Sequence, residues 1–429
     1  MTPSSVTSEV FAELARTQPS PAGTAALRAG LHARRLLLLK SLLVLVERRS
    51  TLLSPAVRQR FKSDWALLER AERTDAAAVR DVVDYPMIGA WLSAALAASD
   101  GPAFERHLAH LGGVAVAAAV RAGCQVSGAL TLPTGTLTLP GLGMLRCLSG
   151  SARLSSHAGL MRITDGAGDG VELPSPAARH RLGTPRPLGD GPGWSALRVL
   201  PGSAVVLDDL DPYRVLSPGI GPAALPAAER PLSAYRLWAQ RWREAHELLS
   251  ATHSGRAAET MAVLRTVVPL ALSESAGGAA MSATLRAAPG AVLAQLPADA
   301  PQLTEVLVHE AHHNKLASLH ELIPLFRPDG GTLHRVGWRP DPRPIPGVLQ
   351  GAYAHLALTD LWWRAWNGPS TPREWRQRAA EQFESYRGRV SEALSILLES
   401  DELTFAGGEF AREMGRHHAS LGVAARIRR

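Results

Sequence analysis

Residues 306–319 read Val-Leu-Val-His-Glu-Ala-His-His-Asn-Lys-Leu-Ala-Ser-Leu, and this stretch decides what fold and what chemistry to look for. His309 and His313 stand four residues apart. On an α-helix such a pair projects from one face about one turn apart, so both imidazoles can reach a single metal ion. Glu310 lies beside them. The preceding segment, Leu303 to Val308, is helix-compatible and apolar enough to be buried, which supplies the rigid low-dielectric setting that a metal site uses. The pattern predicts a buried helix over about 301–322.

A third ligand has to come from elsewhere. His320 lies seven residues past His313, roughly 10 Å along an unbroken helix, so neither it nor Glu321 can close the same site. Residues 314–319 lack the glycine with which metzincin peptidases turn the chain back. The next helical segment, Gly347 to Trp366, would return antiparallel and offers His355 among Leu356, Leu358 and Leu361, with Asp360 on a different face. His355 is the preferred ligand, because a histidine among buried leucines needs a polar partner. Asp360 would instead give the two-His, one-carboxylate set of non-haem Fe(II) oxygenases. Between the two helices, residues 337–347 read Gly-Trp-Arg-Pro-Asp-Pro-Arg-Pro-Ile-Pro-Gly. Alternating prolines fix φ and favour a stiff extended loop. Arg339 and Arg343 can each offer a planar fork to a carboxylate, or Asp341 can pair with one of them and make the loop a brace.

Outward from this centre the texture changes twice. Residues up to Gly123 show apolar spacing of helical type, as in Leu36, Leu39, Leu43 and Val46. Turn signals at Gln18 to Gly23, Ser54-Pro55, Tyr85-Pro86 and Asp100-Gly101-Pro102 divide them into four or five helices. From Ser127, short β-prone stretches (Ala129 to Thr134, Thr136 to Leu139, Leu160 to Thr164, Ala204 to Leu207) are broken by Gly, Pro and Asp, with a long loop at Pro174 to Pro192. Helical spacing returns at Leu232 to His253, where Trp238 and Trp242 read as core, and at Arg256 to Val268. A Gly/Ser/Ala stretch from Leu272 to Ala288 and a strand at Ala291 to Leu296 then lead to the motif. The fold class is α+β, predominantly α-helical: a helical N-terminal region (1–125), a β-rich middle (126–230) and a helical metal-binding catalytic region (231–429).

Composition narrows the partners. The formal charge is +7, but the only lysines are Lys40, Lys62 and Lys315, and the arginines are scattered with no arginine/aromatic strip, so nucleic acid is not an expected partner. The longest apolar run, Leu36 to Val46, contains Lys40 and falls far short of the roughly 20 residues that span a bilayer. Two cysteines, Cys124 and Cys147, make no disulfide framework, and the N-terminus lacks a secretory layout, so the expected compartment is the cytoplasm.

Residues 306–319, followed by Trp338 to Trp363, resemble the HExxH-motif proteins encoded beside ribosomally made peptide precursors, a family assigned as 2-oxoglutarate-dependent peptide β-hydroxylases. The resemblance is strongest over Leu232 to Ala380. It implies an Fe(II) enzyme using 2-oxoglutarate and O₂ on a precursor peptide. His309, His313 and His355 would be its iron ligands, and Arg339 and Arg343 would bind the 2-oxoglutarate carboxylate. Gln350 stands where many relatives carry His. In such an enzyme Glu310 orients a ligand or a water; in the competing reading, a Zn(II) peptidase, it activates the metal-bound water as general base. A third possibility is a scaffold in which the motif is structural.

Overall fold

The computed structural model describes residues 6–175, 192–217, 219–221, 224–228, 230, 232–271, 280–328, 331–369 and 371–427. Most of the Pro174 to Pro192 loop, and residues 272–279 of the Gly/Ser/Ala stretch, lie outside them. The described residues form twelve helices and several small sheets, 56% helix and 17% strand, which is the predominantly helical α+β class expected.

The turn signals of the first 125 residues become helix starts. Ser20 and Ser54 accept from the backbone N–H groups of Gly23 and Val57 and are followed by proline at the first helical position, opening α2 (Pro21–Arg48) and α3 (Pro55–Thr74). Prolines also open α5 (Pro86–Ala97) and α6 (Pro102–Ala122). With α1 (Ser8–Ala15) and α4 (Ala76–Val83) there are six helices. The extra break is Asp75, whose carboxylate accepts from Ala77 and Ala78 N–H and so ends α3 and caps α4. Helix α6 is buried continuously from Leu111 to Val120, and Gly113 is what lets it lie on a strand: a Cβ there would sit 2.0 Å from the Thr138 carbonyl oxygen.

The middle region builds two antiparallel sheets on this helical core. The first runs β1 (Ser127–Thr131), β4 (Ser151–His157), β5 (Leu160–Asp165), β6 (Gly170–Pro174), and the second β2 (Thr136–Leu139), β3 (Gly143–Arg146), β7 (Trp194–Ala196). The last strands of the region, β8 (Arg198–Val199) and β9 (Val206–Leu207), belong to a third sheet that crosses residue 230. Its order is β11 (Ser282–Ala283), β12 (Ala291–Ala294), β10 (Thr266–Pro269), β9, β8, with β9, β10 and β12 parallel and β11 and β8 antiparallel at its edges. Strand β10 corrects the helix expected over Arg256 to Val268. Helix α8 (Ser254–Val263) stops where Leu264 turns extended, and the fully buried Thr-Val-Val-Pro run is β-branched and fits a central strand instead.

Helix α9 (Ala300–Leu322), capped by Asp299, carries the motif and spans the limits expected of it. One side, Leu303, Leu307 and Ala311, packs on the third sheet and on Trp238 and Trp242 of α7 (Leu232–Thr252). The opposite side, Val308, Leu316 and Leu319, packs on α10 (Ile345–Asn367) and joins a core completed by α11 (Arg373–Glu399) and α12 (Phe405–Ile427). The helix is therefore held between two cores. The proline-rich segment before α10 is not a free loop: β13 (Leu333–Val336) and β14 (Arg339–Pro344) pair antiparallel with a bulge.

Candidate metal centre

Seen down α9, residues 309 and 313 form one row, residues 310 and 314 the next, and residue 312 faces the far side, because successive residues rotate by about 100°. Each row meets a different neighbour. On the first, the Nε2 atoms of His309 and His313 approach to 2.9 Å. His355, on α10, brings its ring to 5.2 Å from that of His309, edge to face. Among the described residues no three His, Cys, Asp or Glu side chains already meet as a closed ligand group. The pair does meet, with His355 beside it.

Whether these rings suit a metal turns on their tautomers. His313 Nδ1 lies 2.8 Å from Gln350 Oε1, and His355 Nδ1 lies 2.7 Å from the Gly351 carbonyl oxygen. A carbonyl oxygen only accepts, so each Nδ1 carries the hydrogen and each Nε2 keeps its lone pair. All three rings are neutral at ordinary pH. Burial lowers His309 well below the usual histidine value, with His313 and His355 adding to the effect, and lowers His313 and His355 to about 4. Three neutral buried imidazoles, two with their outer nitrogens tied to backbone or amide oxygen, are a donor set that fits a divalent metal.

His355 is clamped on both faces, by Trp338 at 4.5 Å and Tyr386 of α11 at 5.3 Å between ring centroids. Gly351 makes room for the first of these, since a Cβ there would stand 2.6 Å from the Trp338 ring. Tyr386 and Trp338 escaped the sequence reading as site residues, and Gln350 entered it only as a departure from an expected histidine, one turn before His355 on the same helix.

The other motif residues face elsewhere. Glu310 accepts from Ser282 Oγ on β11 at 2.7 Å, on the row that also places Asn314 against the Ala291 carbonyl. Burial raises its carboxyl to about 7, and its Oε2 is buried without a hydrogen-bond partner among the described residues. His312 is not a ligand: its Nδ1 donates to the Val308 carbonyl and its Nε2 accepts from Arg256. Arg256, fully buried, also holds Glu259 and Asp360 at 3.1 Å, and Lys315 holds Glu259 at 2.6 Å. Asp360, the alternative third ligand, is thus engaged with Arg256 and Arg364. His320 stacks on Phe326 and Glu321 pairs with Arg34 and Arg286, both off the histidine cluster as the reach estimate requires.

Arg339 and Arg343 both pair with Asp341, at 3.1 and 2.8 Å, on the exposed hairpin. That is the brace arrangement, and neither arginine has a described contact with the histidines. The cation beside the cluster is Arg389 of α11, whose charge helps to lower His355 and whose guanidinium stands 5.9 Å from the Tyr386 ring centroid. The chain matches no protein-family model, and no curated protein matches it.

Proposed function

We propose that the chain is a mononuclear non-haem iron enzyme that hydroxylates the β-carbon of a residue in a ribosomally synthesised precursor peptide, using 2-oxoglutarate and O₂. The observation that carries this reading is the gathering of three neutral imidazoles, with the Nε2 atoms of His309 and His313 on α9 facing each other at 2.9 Å and His355 of α10 beside them. The resemblance of residues 306–363 to peptide β-hydroxylases supplies the reaction. Iron with 2-oxoglutarate and O₂, when bound, supplies the oxidant for inserting oxygen into a C–H bond.

The residues do the rest. Gln350 and the Gly351 carbonyl keep the ligand rings in one tautomer and orientation. Trp338 and Tyr386 hold His355 between them and keep water from its faces. Arg389 offers a guanidinium to the co-substrate carboxylate without first giving up a carboxylate partner, as Arg339 and Arg343 would have to. Glu310, held by Ser282, positions the edge of the site. No helix of the described residues is long and apolar enough to cross a membrane, and both cysteines are free, which suits the cytoplasm where precursor peptides are made.

Anaerobic reconstitution with Fe(II), followed by 2-oxoglutarate, O₂ and the precursor peptide encoded beside the gene, should yield a peptide heavier by one oxygen together with succinate. Formation of neither product rejects the reading. One observation favours a second: a carboxyl of raised pKa with a spare oxygen next to His309 is what a Zn(II) peptidase would use as base. Zn(II)-supported cleavage of the peptide, lost in Glu310→Gln, would establish that alternative.

A further inference from the structure

The row that carries His309 and His313 has a wall on each side. One is α10 and α11, with Trp338, Tyr386 and Arg389. The other is the end of the third sheet, where β11 is the edge strand: among the described residues β11 pairs with β12 alone. Edge strands present a row of unpaired N–H and C=O groups that another extended chain can use.

The register shows which groups these are. Gln295 N–H donates to the Met281 carbonyl at 2.9 Å, and Met281 N–H donates to Gln295 Oε1 at 2.9 Å, so backbone and side chain of Gln295 serve position 281. Ser282 stands opposite Ala294 and Ala283 opposite Leu293. Hydrogen-bonded and non-bonded positions alternate along an antiparallel pair, so the backbone N–H and C=O of Ser282 point away from β12. Its side chain turns the other way from those of Met281 and Ala283, which pack on the N-terminal core, and bonds Glu310. Ser282 is partly exposed. One residue therefore offers an outward backbone donor and acceptor while its hydroxyl touches the motif helix beside His309.

We infer that the β11 edge is where the peptide substrate docks, as an extended segment added to the sheet through the Ser282 backbone; this rests on the reading of the chain as a peptide-modifying enzyme. Main-chain bonds hold such a segment whatever its sequence, and alternate side chains face opposite ways. Those on the α9 side are presented to the histidine row, and those on the other side set spacing and register. Selectivity for one residue of a longer peptide then follows from its parity along the strand.

Binding tests this apart from turnover. Random linear peptides displayed on phage are panned on the Zn(II)-loaded full chain, and one selected peptide is resynthesised as a series with single backbone N-methyl groups. The series should alternate about one position: the N-methyl group on the peptide residue facing Ser282 should weaken binding about tenfold, by loss of a main-chain hydrogen bond or by clash, and those on its two neighbours should change it little. Ser282→Pro, which removes the outward N–H, should weaken the parent peptide to a similar degree, and Ser282→Ala, which keeps it, by less than about twofold. Failure to select any peptide, or an N-methyl series without alternation, overturns the inference; the series uses the unaltered protein, so a misfolded variant cannot decide it. Alternation without hydroxylation keeps the docking edge and removes the hydroxylase; hydroxylation without alternation does the reverse.

Discussion

Asp64 in the N-terminal helical region and Asp360 in the C-terminal one are hidden to the same degree, at 3% and 2% exposure, and titrate in opposite directions. Asp64, on α3, sits with both carboxylate oxygens against Gly112 of α6; burial raises it to about 7 and Arg60 offsets only part of the rise. Asp360 feels the same burial, but Arg256, Arg364 and His417 outweigh it and hold its carboxyl below the usual range. Asp64 therefore lies where the neutral acid is favoured. Around Asp360 the buried charges are shared among Arg256, Glu259, Lys315 and His312, whereas Glu310 in the same region keeps an unpartnered oxygen among the described residues and, like Asp64, a carboxyl raised to about 7. Outside that network, the Nε2 atoms of His309 and His313 face each other at 2.9 Å and His355 Nε2 keeps its lone pair.

The hardest way to break the comparison is to remove the hub. Arg256→Met leaves Glu259 and Asp360 buried without their shared cation and His312 without its donor. Loss of one member of a buried ion pair costs about 3–5 kcal/mol, to be read from urea denaturation at neutral pH. A loss below about 1 kcal/mol would mean that these charges do not act as one unit.

Asp64 gives the counterpart on the other side. Its folded-state value of about 7 lies well above the ordinary aspartate value, which is about 4. The native chain therefore keeps a proton that the unfolded chain releases, so the stability linked to Asp64 is full below about pH 4 and is lost as pH rises to about 7. The loss amounts to at most about 4 kcal/mol. The depressed buried histidines lift stability over the same range in both proteins, so the test is the difference: from about pH 4 to 7 the unaltered protein should lose ground to Asp64→Asn by that amount, and parallel curves would show that Asp64 keeps no extra proton in the fold.

Much of this architecture is written locally. The Ser-Pro and Gly-Pro steps marked helix starts because a cap acceptor and a fixed φ act within a few residues, and the four-residue spacing of His309 and His313 placed both on one row for the same reason. What escaped depends on partners distant in sequence. Thr266 to Val268 looked like the end of a helix because nothing nearby announces the parallel neighbours β9 and β12 that make Thr266–Pro269 a central strand. Arg339 and Arg343 read as arginines for a carboxylate or as a brace on Asp341, and only the hairpin shows Asp341, between them, pairing with both. Tyr386 and Arg389 come from a helix whose approach to His355 no spacing encodes. Gln350 was noticed as a departure from an expected histidine, and its contact with His313 shows what the position faces.

That contact supports the finest distinction available, between two adjacent histidines. His312 is bound into the charge network and His313 into the open row, with Gln350 Oε1 fixing the tautomer of the latter. Gln350→Leu removes the acceptor from His313 Nδ1 and lets the hydrogen move to Nε2, where it would occupy the lone pair a metal needs. Metal affinity, measured by competition with a chromophoric chelator, should drop about 10–100-fold, while the denaturation midpoint stays nearly fixed, since the leucine fills similar space. Unchanged affinity would mean that His313 does not bind metal through Nε2. Arg256→Met should show the reverse, a weakened fold with little change in metal held per folded molecule, because its histidine partner spends both nitrogens on protein.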